Sequence, residues 1–235
     1  MENRKSLTCS GRQAVVLLSG GLDSATTLYF ARSRGYKCFC LVFDYGQRHK
    51  REIESAKKIA RAANCPYEIL KISLPWRGSA LLDKKIKIPK LTNLRTYELT
   101  NKIPSTYVPA RNIIFLSFAL SYAEAIGAQT IFIGANAVDF SGYPDCQPEF
   151  YAAFSKVIAT GTKAGAEKRR IRILTPLINK SKAQIIRLGK KLGVPFELTW
   201  SCYEGGRVPC GKCDSCYFRA KGFKDLGIRD PLLRR

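Results

Sequence analysis

Short runs of aliphatic and β-branched residues alternate along this chain with longer amphipathic stretches. This is the pattern of strands buried in a parallel sheet and of the helices that cross over it. Ala14–Leu18 is the first run and leads straight into two glycines. A helix is expected next, capped by Asp23 or Ser24, with Leu28 and Ala31 on its core face and Gly35 as its stop. Lys37–Phe43 reads as a second strand, Glu52–Ala63 as a charged amphipathic helix ending at Asn64 and Pro66, and Glu68–Ile72 as a third strand.

Between Ser73 and Pro109 the periodicity fades, and Pro75, Pro89, Pro104 and Pro109 interrupt a polar, basic stretch. A structureless segment this long inside a domain is expected to be an insertion or a mobile flap with a functional role. The pattern resumes with a helix over Asn112–Ile126 closed by Gly127 and a strand over Thr130–Gly134. Phe150–Ala164 is expected to be helical, Ile171–Leu174 strand, Ser181–Leu192 helix with Gly193 as its stop, and Tyr217–Leu226 a short closing helix. This order predicts an α/β fold with a doubly wound, mostly parallel sheet and its ligand site at the carboxyl ends of the strands. The expected division is an α/β domain over 1–198, carrying the insertion at about 73–110, and a cysteine-rich C-terminal region over 199–235.

Composition narrows the class without choosing the chemistry. At 235 residues, 46% hydrophobic and 25% charged, the chain has globular balance, and no apolar run reaches the roughly 20 residues of a spanning helix. Met1–Arg12 lacks the apolar segment of a secretory signal, so a cytoplasmic protein with no membrane role is expected. The net charge of +22 concentrates anions such as ATP or nucleic acid near the surface. It is densest from Lys163 to Lys191, where ten basic residues accompany one acid, Glu167; a solvated basic surface and a nucleic-acid face both remain open.

Two constellations carry chemistry. Gly20 and Gly21 sit between a strand and a helix, where backbone N–H groups and the helix dipole converge on a space suited to phosphate. Ser19 and Ser24 add hydroxyls, and Asp23 either helps hold Mg²⁺ or anchors the turn. The lysine and spacing of a Walker loop are absent from this segment. In the second constellation, Cys202, Cys210, Cys213 and Cys216 have the number and spacing of a closed tetrahedral thiolate site, for which structural Zn²⁺ is expected over a redox pair, an iron–sulfur cluster or unconnected thiols. Cys38 and Cys40 lie in an apolar run and are expected to be buried, inert thiols.

The loop from Asn136 to Gln147 follows the fourth strand. There Asn136, Asp139 and Asp145 are candidates for hydrogen bonding to a ligand, and Phe140 and Tyr143 for stacking on a planar ring; the alternative is a plain turn at Gly142–Pro144. Arg111 is a candidate for pairing with a carboxylate or a phosphate, or simply starts a helix after Pro109. His49, the single histidine, is open between acid–base work and a capping or nucleotide-side role.

The hexapeptide Ser19–Ser24 (SGGLDS) resembles the signature of PP-loop ATP pyrophosphatases, the adenine nucleotide alpha hydrolase-like group. Together with FDYGQRHKREI at 43–53, YVPARNIIFLS at 107–117, GANAVDFSGYPDCQPEF at 134–150 and the four-cysteine tail, it makes nearly the entire chain resemble the 7-cyano-7-deazaguanine (preQ0) synthase family of queuosine biosynthesis, the QueC family. Some members carry Gln where this chain has Leu22 and Thr where it has Ala25, and neither change removes a phosphate donor. The resemblance implies a ligase that converts 7-carboxy-7-deazaguanine and ammonia to the 7-cyano compound at the expense of ATP, with Mg²⁺, one structural zinc, a homodimer and no required nucleic acid. It implies a nucleotide site along Leu18, Ser19, Gly20, Gly21, Leu22, Asp23, Ser24, Ala25, Thr26, Thr27 and Leu28, with Ser19, Asp23 and Ser24 at the chemistry. A PP-loop enzyme that modifies tRNA, or a relative that stops at the amide, would share these motifs.

Overall fold

The computed structural model describes residues 12–76, 78–90, 103–138 and 143–233. Five parallel strands, β1 (Gln13–Leu17), β2 (Lys37–Asp44), β3 (Tyr67–Lys71), β4 (Thr130–Phe132) and β5 (Arg172–Leu174), form one sheet in the order β3-β2-β1-β4-β5. Ala14 of β1 lies opposite Cys38 of β2 on one side and Thr130 of β4 on the other. The order reverses at β1, because the chain first winds outward to β3 and then returns to add β4 and β5 on the opposite edge. A crevice opens at such a reversal, beyond the carboxyl ends of the strands.

Each strand feeds two cores because its side chains alternate between faces. Ala14 and Val16 of β1 face one core with Cys38, Cys40 and Val42, covered by α1 (Leu22–Ser33) and α2 (Arg51–Ala62). Val15 and Leu17 face the other with Leu41 and Phe43, covered by α3 (Arg111–Ile126) and α4 (Pro148–Gly161). The sheet is therefore doubly wound, and Cys38 and Cys40 are buried within it at 3% and 0% exposure. A single turn, α5 (Lys163–Ala166), follows α4 where one continuous helix to Ala164 was expected, since Thr162 breaks into extended geometry and caps the new turn.

The expected strands and helices are present with ends shifted by up to three residues. The clearest local correction is at α1. Neither Asp23 nor Ser24 caps it; Gly21 is the cap residue, and both candidates lie in the first turn. Ser181 does cap α6 (Lys182–Lys191): its Oγ accepts from the Gln184 N–H while the Gln184 Oε1 accepts from the Ser181 N–H.

The segment after β3 is packed where it is described. Ala80, Leu81 and Ile88 are buried, the Arg48 N–H donates to the Leu81 carbonyl, and the Ala80 N–H donates to the Ser105 carbonyl. Ala80 and Ile88 share a small core with Trp200, Cys202, Cys213 and Cys216, so this insertion lies against the cysteine tail. The tail ends in α7 (Asp214–Asp225), which packs so closely on α6 that a Cβ at Gly222 would meet the Lys182 side chain at 2.7 Å. Arg219 of α7 is bound to Asp230 at 2.6 and 2.9 Å and to the Thr199 hydroxyl at 2.7 Å, all in the interior. No helix among the described residues is long and apolar enough to cross a membrane.

Candidate active site

A cavity of about 260 Å³ opens at the carboxyl ends of β1, β2 and β4. Its floor begins with the turn after β1. Two serines knit that turn: the Ser19 N–H and hydroxyl both reach Ser24 Oγ, at 3.2 and 3.0 Å, and Ser24 Oγ donates to the Gly21 carbonyl at 3.1 Å. The first intrahelical bond of α1 runs from the Ala25 N–H to Gly21, which leaves the preceding N–H groups without helical partners, and Gly21–Ser24 line the cavity.

The two glycines have different tasks. Gly20 has φ +84°, and a Cβ there would lie 2.1 Å from the Glu52 carbonyl oxygen, so a bare residue is demanded by the approach of α2. At Gly21 the nearest atom to an added Cβ is Ser19 Oγ at 3.4 Å, so the protein itself leaves that space open toward the cavity. Ala25, Thr26, Thr27 and Leu28 are buried on the following turns, outside the cavity wall; Thr26 and Thr27 return their hydroxyls to the Leu22 and Asp23 carbonyls.

Asp23 is engaged by a residue 159 positions away. Lys182 Nζ lies 2.9 and 2.8 Å from its two carboxylate oxygens, with both side chains largely withdrawn from water. The first residue of α6 thus supplies to this cavity the cation that the loop itself lacks. Nothing near either residue in sequence signals the pair.

On the opposite wall Arg111 opens α3. The residue before it, Ala110, is held at φ +54°, a strained conformation for alanine that turns the chain abruptly into the helix. The Arg111 guanidinium donates to the Tyr45 hydroxyl at 3.5 Å; burial works against its charge, but the neighbouring Tyr45, Asp145 and Tyr143 outweigh that and raise its pKa above the ordinary range. Phe43 and Phe115, stacked at 3.9 Å with nearly parallel rings, line the same wall.

The loop after β4 divides. Asn136 lines the cavity, but its amide donates to the Leu177 carbonyl at 3.2 Å and so also pins the chain before α6. Tyr143 lines it with its hydroxyl 2.5 Å from that of Thr106. Asp145 turns elsewhere: its carboxylate accepts from the Asn112 N–H at 3.2 Å and steadies the start of α3, so it bears on Arg111 from behind. Asp139 and Phe140 lie outside the described residues.

Glu52, in the first turn of α2, also lines the cavity. Burial pushes its carboxyl up to about 7, against the opposing pull of Arg111. Its presence in FDYGQRHKREI was visible, but the helical reading of that stretch disguised it as a surface charge. His49 beside it is anchored to the tail: Nε2 donates to the Cys202 carbonyl at 2.9 Å, the ring lies against Gly205, and burial lowers its basicity. It is not on the cavity wall, and neither the acid–base nor the capping role is visible in its contacts.

Trp200, Ser201 and Tyr203 complete the cavity, and they are held by the cysteine cluster that follows. The four Sγ atoms of Cys202, Cys210, Cys213 and Cys216 all lie within 4.8 Å of one another. The 3.9 Å between Cys210 and Cys216 matches the sulfur–sulfur edge of about 3.8 Å that a tetrahedron of 2.3 Å metal–thiolate bonds requires. Backbone N–H groups of Glu204 and Cys210 donate to Cys202 Sγ, and those of Lys212 and Cys213 donate to Cys210 Sγ. Four sulfurs converging on one point, with backbone N–H groups directed at two of them, form a donor set that suits a metal ion.

Comparison with known proteins covers most of the chain. The model of the family described as queuosine biosynthesis protein QueC matches residues 13–227. A 7-cyano-7-deazaguanine synthase of Trichodesmium erythraeum is 52% identical over 94% of this chain and 100% of its own. Proteins of the same name from Thermosynechococcus vestitus and Acetivibrio thermocellus are each 53% identical, over 94% of this chain and 95% and 97% of theirs.

Proposed function

From the premise that this chain belongs to the QueC family of queuosine biosynthesis proteins, we propose that it is a 7-cyano-7-deazaguanine synthase that turns a 7-carboxylate into a nitrile with ammonia and ATP. The observation that carries the reading is one cavity that unites the turn before α1, the Asp23–Lys182 pair and the half-buried Arg111. A triphosphate suits the open side of Gly21, where the N-terminus of α1 and the Lys182 ammonium both favour anions. Mg²⁺ accompanies the triphosphate, and Asp23 orients Lys182 toward it.

The deazaguanine is assigned to the other end, between Arg111, Tyr143 and the Phe43–Phe115 wall, with Arg111 as the partner of the substrate carboxylate. Carboxylate oxygen then attacks the α-phosphorus and pyrophosphate leaves. The mixed anhydride is a far better acyl electrophile than the free acid, and ammonia displaces AMP to give the amide. A second activation through the amide oxygen lets that oxygen depart and leaves the nitrile. No protein nucleophile is required, because the substrate supplies the attacking oxygen in both rounds.

We assign a structural Zn²⁺ to Cys202, Cys210, Cys213 and Cys216, where four sulfurs leave no open coordination position. When bound it supplies cross-linking of the tail, and hence of the Trp200–Tyr203 wall. A homodimer is part of the same proposal. Mass spectrometry of the product formed from the carboxylate, ammonium, Mg²⁺ and ATP tests the reading: nitrile with AMP and pyrophosphate is expected. An amide as the end product, or ADP in place of AMP, would overturn it.

A further inference from the structure

The second round of the proposed reaction sets a proton requirement that none of the residues assigned so far meets. The amide oxygen forms its bond to the α-phosphorus as pyrophosphate departs, and one N–H proton leaves the nitrogen. The C–O bond then breaks, AMP departs with that oxygen, and the second N–H proton leaves as the C≡N bond forms. Two protons must therefore pass from one substrate nitrogen to an acceptor within the cavity.

Two carboxylates line the cavity among the described residues, Asp23 and Glu52. Asp23 is occupied by Lys182 through both oxygens. No hydrogen bond or ion pair engages the Glu52 carboxylate among the described residues. Its backbone lies directly against the nucleotide turn, since the Glu52 carbonyl oxygen would sit 2.1 Å from a Cβ at Gly20. The side chain thus rises from the same place as the proposed phosphate site and shares a wall with Arg111, the assigned partner of the reacting carboxyl group. The cavity's tyrosines are poor acceptors, because burial raises Tyr45, Tyr143 and Tyr203 above the usual phenol range.

We propose that Glu52 is the general base of this site, accepting the N–H protons released as the amide becomes the nitrile and passing them to solvent between steps. The assignment rests on the proposed function and adds a catalytic residue to it. Arg111 from α3, Tyr45 from the loop after β2 and Cys202 from the tail are the charged or titratable groups whose fields reach the carboxylate. Burial outweighs Arg111 and lifts the carboxyl to about 7, which suits proton transfer near neutral pH.

The test starts from the 7-carboxamide of 7-deazaguanine with ATP and Mg²⁺, which isolates the dehydration. The wild type is expected to give the nitrile. Glu52→Gln is expected to lose at least about 100-fold in that step while binding ATP within about threefold of the wild type, as for a group whose role is proton transfer. Glu52→Ala is expected to recover nitrile formation in added formate, a small carboxylate that fits the vacated space. A wild type that makes no nitrile from the amide overturns the functional reading and this inference with it. A productive wild type beside a Glu52→Gln protein of near-equal rate overturns the base alone. Loss of activity in Glu52→Ala without recovery in formate also overturns it, and assigns Glu52 to the packing of α2 on Gly20 instead.

Discussion

The turn after β1 and the cysteine tail reach the same cavity, yet they are secured by different physics. Residues 18–24 follow a strand with 0% exposure at Val15 and Val16, and their shape is set by sheet register, helix geometry and the two serines. Residues 200–216 contain no strand and few apolar side chains; the cluster of four sulfurs and the His49 bond to the Cys202 carbonyl are what tie them down. The first region forms because the core forms. The second is expected to depend on discrete bonds that can be removed one at a time, and this contrast can be broken or sharpened experimentally.

The largest separation is expected from the proposed metal site of the four cysteines. Cys213→Ser, or a strong chelator, removes a contribution on the order of 10 kcal/mol to local folding. Hydrogen exchange of residues 200–216 should rise steeply while the strands β1 and β2 keep their protection. Equal loss in both regions would show that the tail is part of the main cooperative unit. Asp230→Ala comes next. It strands the Arg219 guanidinium at 5% side-chain exposure, and removing one partner of a buried pair costs about 3–5 kcal/mol. Denaturant melts should show that loss, with β1–β4 the last elements to open.

Within the loop region, Asp23→Ala and Lys182→Ala are each expected to lower turnover by about 100-fold, the range found when one preorganised polar group at a reacting centre is lost. The double variant should be little worse than either single one, since a contacting pair couples by about 0.5–3 kcal/mol. Additive effects would mean that the 2.8 Å contact does not act as a unit. The smallest expected effect is on pH dependence. Glu52 carries a folded-state carboxyl raised from 4.5 to about 7, so between those values the native state binds more protons than the unfolded chain. Its contribution is present below pH 4.5 and is lost as pH rises to about 7, with a slope of at most about 1.4 kcal/mol per pH unit. Glu52→Gln should flatten that slope in thermal melts; an unchanged slope would place the carboxylate in water.

Much of this was legible because it is local. Ala14–Leu18, Lys37–Phe43 and the glycine-closed helix over Asn112–Ile126 follow from short-range apolar pattern and from stops at Gly35, Asn64 and Gly127, and these lie where expected. The four cysteines were legible because ligand spacing is itself a sequence property, and their sulfurs converge. Asp145 and His49 were less so, since their residue types suited a site while their contacts are with the Asn112 N–H and the Cys202 carbonyl.

The residues by themselves determined an alternating α/β chain, a glycine turn between a buried strand and a helix, and a thiol cluster at the end. Each of these rests on periodicity or spacing over a few residues. The tertiary structure alone decided which groups share the cavity. It brought Lys182 to Asp23 across 159 positions, set Glu52 against Gly20, and turned Arg111 inward behind a strained Ala110. Such partnerships depend on how the strands are ordered and how the helices cross, and that is fixed by the packing of the two cores as a whole rather than by any segment within them.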